Sequence, residues 1–146
     1  MRDRGVYLGG AISGCNWNEV SEWRDDMANL IYTASNGRWT CFNPCEHIPD
    51  EFITHESIHM EDKEAMDYDL FHLLRSDLMI INFAYNPKSI GTIAEMGAAY
   101  THHIPILGLN ETKEELHPWQ LAMPQKIFSE YQNLVNYLVN HYLNEK

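Results

Sequence analysis

The two residues best suited by type and position to carry out a reaction are Glu95 and Asp69. Glu95 lies in Gly-Thr-Ile-Ala-Glu-Met-Gly, residues 91–97, which has helical spacing and follows an apolar run typical of a strand buried on both faces, residues 78–83. This spacing puts Glu95 in the first turn of its helix, where N–H dipoles stabilise a carboxylate, and we expect it to be ionised.

An ionised glutamate that faces a second carboxylate suits substitution at an anomeric carbon. Glu95 would attack the carbon, while Asp69 would manage the proton on the departing group. Periodicity alone leaves a second interpretation open, in which Glu95 only stabilises the helix dipole.

A second candidate is a glycine-rich segment between a predicted strand and a predicted helix, Gly9-Gly10-Ala11-Ile12-Ser13-Gly14. Backbone N–H groups in such a loop can bind an anion or a sugar. The third glycine has the wrong offset for a dinucleotide fingerprint, and Cys15-Asn16 stands where a Walker loop requires Lys-Ser/Thr. The alternative is a tight turn without a ligand.

Two patterns could bind a metal. His55-Glu56-Ser57-Ile58-His59 matches H-E-x-x-H, but its surroundings are acidic, without a helical apolar stripe or a third ligand at a recognisable spacing. Cys41, Cys45 and His47 make an incomplete set, for which buried cysteines are the simpler interpretation. We therefore predict no metal and no cofactor, and keep a zinc hydrolase on His55 and His59 as an alternative.

The elements that would position these residues alternate between short apolar runs and amphipathic stretches. Strands are predicted near residues 6–9, 39–42, 78–83 and 104–109, and helices near residues 20–31, 66–74, 91–100 and 126–143. Such alternation predicts an α/β fold, a parallel sheet with helices on both faces, in a single domain over residues 1–146. Ligands bind such folds beyond the carboxyl ends of the strands.

Residues 44–63 have no clear period and are long for a connection, which makes them either a lid or a plain surface excursion. Nine acids and one lysine lie in residues 46–69, a net charge of −8 within a total of −11. This acidity argues against polymeric nucleic acid and anionic membranes as partners. With no membrane-spanning run, no signal peptide and only three cysteines, we expect a cytoplasmic protein.

In their order along the chain, the motifs resemble those of the nucleoside 2-deoxyribosyltransferase family. The similarity covers roughly residues 5–120, and its pieces are Val6-Tyr7-Leu8 with the glycine segment, Trp23-Arg24, Asn43-Pro44, Asp69-Leu70, Ser76-Asp77, Gly91-Thr92, Glu95-Met96-Gly97-Ala98 and Pro105. The resemblance implies a flavodoxin-like (Rossmann-type) sheet, in agreement with the alternation of elements.

The resemblance also implies residue roles. Glu95 would be the nucleophile of a covalent deoxyribosyl-enzyme, Asp69 the proton donor and acceptor for the base, and Tyr7 the hydrogen-bonding partner that orients Glu95. The segment from Gly9 to Gly14, together with Gly91, would bind a nucleoside or nucleotide. Members of the family are homo-oligomers in which a neighbouring subunit completes the site, and the matching place here is His117.

One position departs from the transferase pattern. Transferases that act on free nucleosides carry an acid six positions before the nucleophile, where this chain has Ser89. A serine there resembles the 2′-deoxynucleoside 5′-monophosphate N-glycosidase branch, in which Ser89 and Ser13 could hydrogen-bond phosphate. Deoxyribosyl transfer between bases, in nucleotide salvage, is thus the first prediction. Monophosphate hydrolysis and a non-catalytic nucleotide-binding module are the alternatives.

Overall fold

The computed structural model describes residues 3–48, 53 and 63–144. The strands are β1 Arg4–Gly10, β2 Trp39–Phe42, β3 Leu78–Asn82, β4 Ile106–Leu109 and β5 Lys126–Phe128. The α-helices are α1 Trp17–Ala34, α2 Lys63–Leu73, α3 Ile90–Thr101, α4 Pro118–Ala122 and α5 Tyr131–Leu138. A 3₁₀ turn covers Pro44–His47, and a π-helical turn, Val139–Leu143, continues α5. No described helix is long and apolar enough to cross a membrane.

All five strands are parallel and follow the order β2-β1-β3-β4-β5. This order is that of the flavodoxin-like fold, so the predicted fold class is confirmed. The chain leaves β1 toward one edge of the sheet and β3 toward the other. A crevice therefore opens between the carboxyl ends of these two strands, at the switch point where such folds bind ligands.

Alternate residues of each strand face two separate cores. Val6 and Leu8 of β1 pack with Met27 of α1 and with Leu134 and Leu138 of α5. Tyr7, between them, faces the other side of the sheet, and its core contains Met79, Leu73 of α2 and Met96 of α3. The side chains of a strand alternate with a period of two, so one residue of β1 is directed toward α3 while its neighbours are not.

The predicted helix over residues 126–143 is wrong in its first part. Lys126–Phe128 pairs with β4 as the edge strand β5, with Ile127 opposite Gly108, and α5 begins at Tyr131. The apolar spacing of this segment fits a helix, but pairing with the exposed edge of β4 satisfies its backbone groups and overrides that local preference.

The predicted lid, residues 44–63, lies largely outside the described residues, and it stays a prediction. Residues 44–47 form the 3₁₀ turn. The Asn43 side chain caps this turn by accepting a hydrogen bond from the Cys45 N–H at 2.9 Å. The H-E-x-x-H motif, residues 55–59, also lies outside the described residues.

Candidate active site

A cavity of about 620 Å³ occupies the crevice at the carboxyl ends of β1 and β3. Three segments line it: the loop after β1, one face of α2, and the loop after β3 with the first turns of α3. The lining residues are Gly10, Ile12, Ser13, Ala65, Met66, Asp69, Leu70, Asn86, Lys88, Ser89, Ile90, Gly91, Thr92, Ala94 and Glu95. The cavity therefore brings together Asp69, Glu95, Ser13 and Ser89, which are far apart in the sequence.

Glu95 is the sixth residue of α3, since the helix begins at Ile90. It therefore lies in the second turn, not the first as predicted. Its Oε2 accepts a hydrogen bond from the Tyr7 hydroxyl, which approaches from the middle of β1. Tyr7 is thus placed to orient one carboxylate oxygen, while the carboxyl group also borders the cavity.

The expectation that the helix dipole keeps Glu95 ionised is also wrong. Burial raises the pKa of Glu95 to about 7, the Tyr7 hydrogen bond lowers it, the nearby Asp69 charge raises it and the Arg24 charge lowers it. The helix dipole acts strongly only within the first turn, so desolvation dominates at the sixth residue.

Asp69 reaches the same cavity from α2. Burial raises the pKa of Asp69 to about 6, against a lowering by the Arg24 charge. Two carboxyl groups that titrate near neutrality in one cavity share a single proton over about one pH unit. Because the pKa of Asp69 is the lower of the two, the shared proton lies more often on Glu95. The form with Glu95 ionised and Asp69 protonated, which a nucleophile and a general acid require, is therefore the minor form of the singly protonated pair.

Tyr7 is fully buried and held in place by stacked rings. The Phe42 ring stacks on it at 5.5 Å, and the His72 ring stacks on Phe42 at 4.1 Å. Burial, followed by the Glu95 and Asp69 charges, raises the pKa of Tyr7 well above its usual value. Tyr7 therefore stays protonated and donates its hydroxyl hydrogen to Glu95.

A buried cation lies behind the acid pair. Arg24 of α1 has no exposed surface, and its guanidinium donates to the carbonyl oxygens of Leu8 at 3.1 Å, Val20 at 2.7 Å and Gly10 at 3.1 Å. These hydrogen bonds to neutral groups leave its charge to act on the carboxyl groups, so Arg24 lowers the pKa of both Glu95 and Asp69.

The family resemblance includes Arg24 only as part of the Trp23-Arg24 motif. A stronger signal was present, because Arg24 falls in the apolar stripe of α1 with Val20, Met27 and Ile31, all of which are buried. A charged residue in such a stripe needs a structural or functional partner.

The glycine-rich loop contributes only some of its predicted residues. Gly10, Ile12 and Ser13 line the cavity, whereas Gly9, Ala11 and Gly14 do not. Gly10 adopts φ +151°, and a Cβ on it would lie 3.0 Å from the Asn82 carbonyl oxygen. Glycine at this position thus lets β1 turn away at the switch point while remaining close to β3.

The loop from β3 to α3 carries the other polar lining residues. Asn82 Oδ1 accepts from the Ala84 N–H at 3.0 Å and starts the turn. Gln120, which is buried in α4, donates its side-chain N–H to the Pro87 carbonyl at 2.6 Å. These bonds hold Ser89 and its neighbour Lys88 at the cavity, and Lys88 was missed because the sequence shows no cluster of basic residues.

His117 is not among the residues that line the cavity of this chain. Its Nδ1 accepts from the Trp119 N–H at 3.1 Å, and its own N–H donates to Gln120 Oε1 at 2.8 Å, so it caps α4. A contribution of His117 to the site of a neighbouring subunit stays a prediction. Within the described part of the chain, no group of three His, Cys, Asp or Glu residues could hold a metal ion.

The chain is similar to several solved structures. A 2-deoxyribosyltransferase from Bacillus psychrosaccharolyticus shares 19% identity over 91% of both chains, with a TM-score of 0.69. A 2-desoxiribosyltransferase from Leishmania mexicana shares 13% over 96% of this chain and 99% of its own, with a TM-score of 0.66. A CMP N-glycosidase from Clostridium botulinum shares 16% over 92% of this chain and 98% of its own, with a TM-score of 0.58.

At these identities the similarity establishes a shared fold over nearly the whole length of each chain. No protein-family model matches the chain, and no curated protein does. The three solved structures agree with the family that the sequence motifs resemble, while the reaction has to be argued from the cavity itself.

Proposed function

We propose that this chain cleaves the N-glycosidic bond of 2′-deoxynucleosides and transfers the deoxyribosyl group to another nucleobase through a covalent intermediate on Glu95. The observation that carries the proposal is the joint placement of two titrating carboxyl groups, Asp69 and Glu95, in one cavity at the switch point, with Tyr7 bonded to Glu95. The solved structures with this fold, two deoxyribosyltransferases and an N-glycosidase, support the same class of reaction.

In the first step, the Glu95 oxygen not bonded to Tyr7 attacks C1′ of the sugar. The bond between C1′ and the base nitrogen breaks, its electron pair goes to the base, and protonated Asp69 gives its proton to the base. In the second step, Asp69 takes a proton from an incoming base or from water, which attacks C1′ and releases Glu95. Transfer and hydrolysis therefore differ only in the acceptor.

The rest of the cavity suits the two parts of such a substrate. Ile12, Met66 and Leu70 supply apolar surface for the flat face of a nucleobase near Asp69. Ser89 lines the same cavity six residues before Glu95. The absence of a carboxylate at this position favours a second candidate, hydrolysis of a 2′-deoxynucleoside 5′-monophosphate.

We also propose that the chain forms a homo-oligomer whose subunits share active sites, and that it is located in the cytoplasm. Ile90 beside the cavity is 86% exposed, and Trp119 next to His117 is 74% exposed. Large apolar side chains left in water are typical of surfaces that another chain covers. We assign that chain to a second copy, and light scattering on the purified protein would find only monomers if this assignment is wrong.

The reaction is tested by incubating the protein with the common 2′-deoxynucleosides and their 5′-monophosphates, with and without a second free base. Base exchange indicates a transferase and base release a hydrolase. The Glu95→Gln variant should be inactive, whereas the matched variant Glu115→Gln, at an exposed acid outside the cavity, should match the wild type. Tight nucleotide binding without any product would identify a non-catalytic module instead.

A further inference from the structure

Arg24 is the only charged side chain without exposed surface among the residues that the structure describes. Its three guanidinium nitrogens donate to the carbonyl oxygens of Leu8, Gly10 and Val20, and it forms no ion pair with any described residue. Carbonyl groups are neutral, so they satisfy its N–H groups without compensating its charge. A buried charge is costly unless an opposite charge lies nearby.

The hydrogen bonds of Arg24 place its charge directly behind the candidate active site. Gly10 lines the cavity that holds the acid pair, and Leu8 follows Tyr7, whose hydroxyl bonds to Glu95. The planar guanidinium holds the Leu8 and Gly10 carbonyl groups together at the carboxyl end of β1. A Cβ on Gly10 would lie 3.4 Å from a guanidinium nitrogen, so the end of the strand and the cation are in close contact.

Five titratable groups lie within range of this charge. They are Tyr7 of β1, Cys15 after β1, Cys45 in the 3₁₀ turn, Asp69 of α2 and Glu95 of α3. Burial raises the pKa of the tyrosine and of both thiols above their usual values, so these three groups stay uncharged near neutral pH. Only the two carboxyl groups, with pKa values of about 6 and about 7, supply a negative charge there.

Lys88, the only described cation that lines the cavity, differs from Arg24 in its exposure. Its side chain is exposed, so water and salt screen its charge, and it shifts the pKa of neither acid. Arg24 has no contact with solvent, and its charge therefore acts on the acid pair through the protein interior.

We infer that Arg24 is a positioning residue for the reaction: its buried guanidinium fixes the end of β1 and is the counter-ion for the one negative charge that moves from Glu95 to Asp69 as the sugar is transferred. This inference rests on the proposed function for the two steps of the reaction. Arg24 does not line the cavity, so it acts through the two acids and not on the substrate.

The balance of charge in the first step shows why a fixed cation is needed. In the reactive form Glu95 is ionised and Asp69 holds the proton, so Arg24 balances the charge on Glu95. Bond formation to C1′ removes that charge. The base keeps the electron pair of the broken bond and takes the proton of Asp69, which becomes the anion. Arg24 balances the site before and after the step, and no net charge develops in the buried cavity.

The charge on the acid pair is measured without substrate, by carbon-13 NMR titration of the Asp69 and Glu95 carboxyl carbons. Arg24→Gln, which loses the charge, should raise both titration midpoints by about one pH unit. Arg24→Lys, which keeps the charge but loses the planar fork, should leave both close to the wild-type values. Arg75→Gln is the matched control, because Arg75 is exposed, donates to the Phe71 carbonyl at 3.1 Å and shifts the pKa of neither acid.

Kinetics give the second readout. When both limbs of the pH profile rise by about one unit, the ratio of Arg24→Gln to wild-type kcat/KM increases about 100-fold from pH 5 to pH 9. A purely structural role predicts a loss by the same factor at every pH, and that result would overturn the inference.

Stability covers the case in which Arg24→Gln folds poorly. In a background of Asp69→Asn with Glu95→Gln, neither acid ionises and Arg24 has no charge to balance. Arg24→Gln should therefore destabilise this background less than it destabilises the wild type at pH 8, as measured by chemical denaturation. Equal destabilisation, or an unfolded protein in both backgrounds, would show that only the hydrogen bonds of Arg24 matter and would overturn its role as counter-ion.

The outcomes separate this inference from the proposed function. Turnover of substrate with unmoved carboxyl midpoints and an unmoved pH profile in Arg24→Gln would overturn the inference and leave the proposed function standing. Raised midpoints in Arg24→Gln, made in a protein that turns over none of the substrates, would support Arg24 as the counter-ion of the acid pair and overturn the proposed function.

Discussion

The two helices that begin at the carboxyl ends of β1 and β3 start in opposite ways. At α1, the Asn16 side chain accepts from the Glu19 N–H at 2.9 Å, and the Glu19 side chain accepts from the Asn16 N–H at 2.9 Å. At α3, Ser89 occupies the same position without capping. The start of α1 is complete in itself, whereas the start of α3 leaves its donors to the cavity.

The same contrast holds for the acids of the two helices. Glu19 of α1 is bound within its capping box, so its role is local. Glu95 of α3 lies deeper in its helix, where burial raises its pKa to about 7 and Tyr7 fixes one of its oxygens. The start of α1 therefore stabilises its helix. The beginning of α3 carries a reactive carboxyl group whose burial lowers the stability of the fold, as is common in active sites.

The largest expected effect comes from Glu95→Gln, which should lower kcat at least about 10⁴-fold because the nucleophile is lost. The same substitution should increase the free energy of unfolding. The folded pKa of about 7 exceeds the unfolded value of about 4.3, so Glu95 destabilises the fold progressively as pH rises between these values. The variant should therefore be more stable than the wild type at pH 8, on the order of 2 kcal/mol, and equally stable at pH 4.

Chemical denaturation at both pH values measures this difference. Glu19→Gln is the matched change in α1, and it should leave kcat unaltered. A large loss of activity in Glu19→Gln, or no gain in stability for Glu95→Gln at pH 8, would remove the contrast between the two helices.

Asp69→Asn should reduce kcat about 10³-fold, since the departing base loses its proton donor. The loss should shrink for a 7-methylated purine deoxynucleoside, whose cationic base leaves without protonation. Steady-state kinetics on the methylated and unmethylated substrates test this difference. An equal loss for both would show that Asp69 acts in binding or folding, not in proton transfer.

Wild-type kcat/KM should follow a bell-shaped pH profile with limbs near pH 6 and pH 7, because only the singly protonated acid pair is active. Tyr7→Phe should cost about tenfold in activity. It should also shift the profile to higher pH. The Tyr7 hydrogen bond lowers the pKa of Glu95 in the wild type, so its removal lets that pKa rise. The exposed Tyr32→Phe serves as the control, and an unshifted profile in Tyr7→Phe would refute the orienting role.

The smallest effects come from the caps themselves. Asn16→Ala should lower the free energy of unfolding by about 1 kcal/mol without changing kcat/KM, because it removes a helix cap. Ser89→Ala should change stability by less than about 0.5 kcal/mol and lower kcat/KM about fivefold, because its hydroxyl faces the cavity. Thermal unfolding and steady-state kinetics on both variants test this difference between the two helix starts. A greater loss of stability in Ser89→Ala than in Asn16→Ala would contradict it.

Local patterns were sufficient for most of the fold. Apolar alternation located all the strands except β5, because this signal depends on short-range geometry. The segment containing Ile127 was misassigned because pairing with β4 decides its structure. That is a long-range effect which spacing does not encode.

The candidate site was predictable as a set of residues, but less so in its electrostatics. Tyr7, Asp69 and Glu95 do lie together, as the family resemblance implied. The pKa of Glu95 depends on burial by elements distant in sequence, so the helix start alone predicted the wrong sign. Lys88 is a single basic residue, and only its place at the cavity gives it meaning.

The most direct test of the central claim is to trap the sugar on Glu95. A 2′-fluorinated deoxynucleoside slows a reaction through an oxocarbenium-like transition state, so that a covalent intermediate can accumulate. Mass spectrometry of the digested protein should then find the fluorinated sugar on the peptide that contains Glu95, and on no peptide of Glu95→Gln. Turnover of substrate with an unmodified Glu95 peptide throughout would contradict the account.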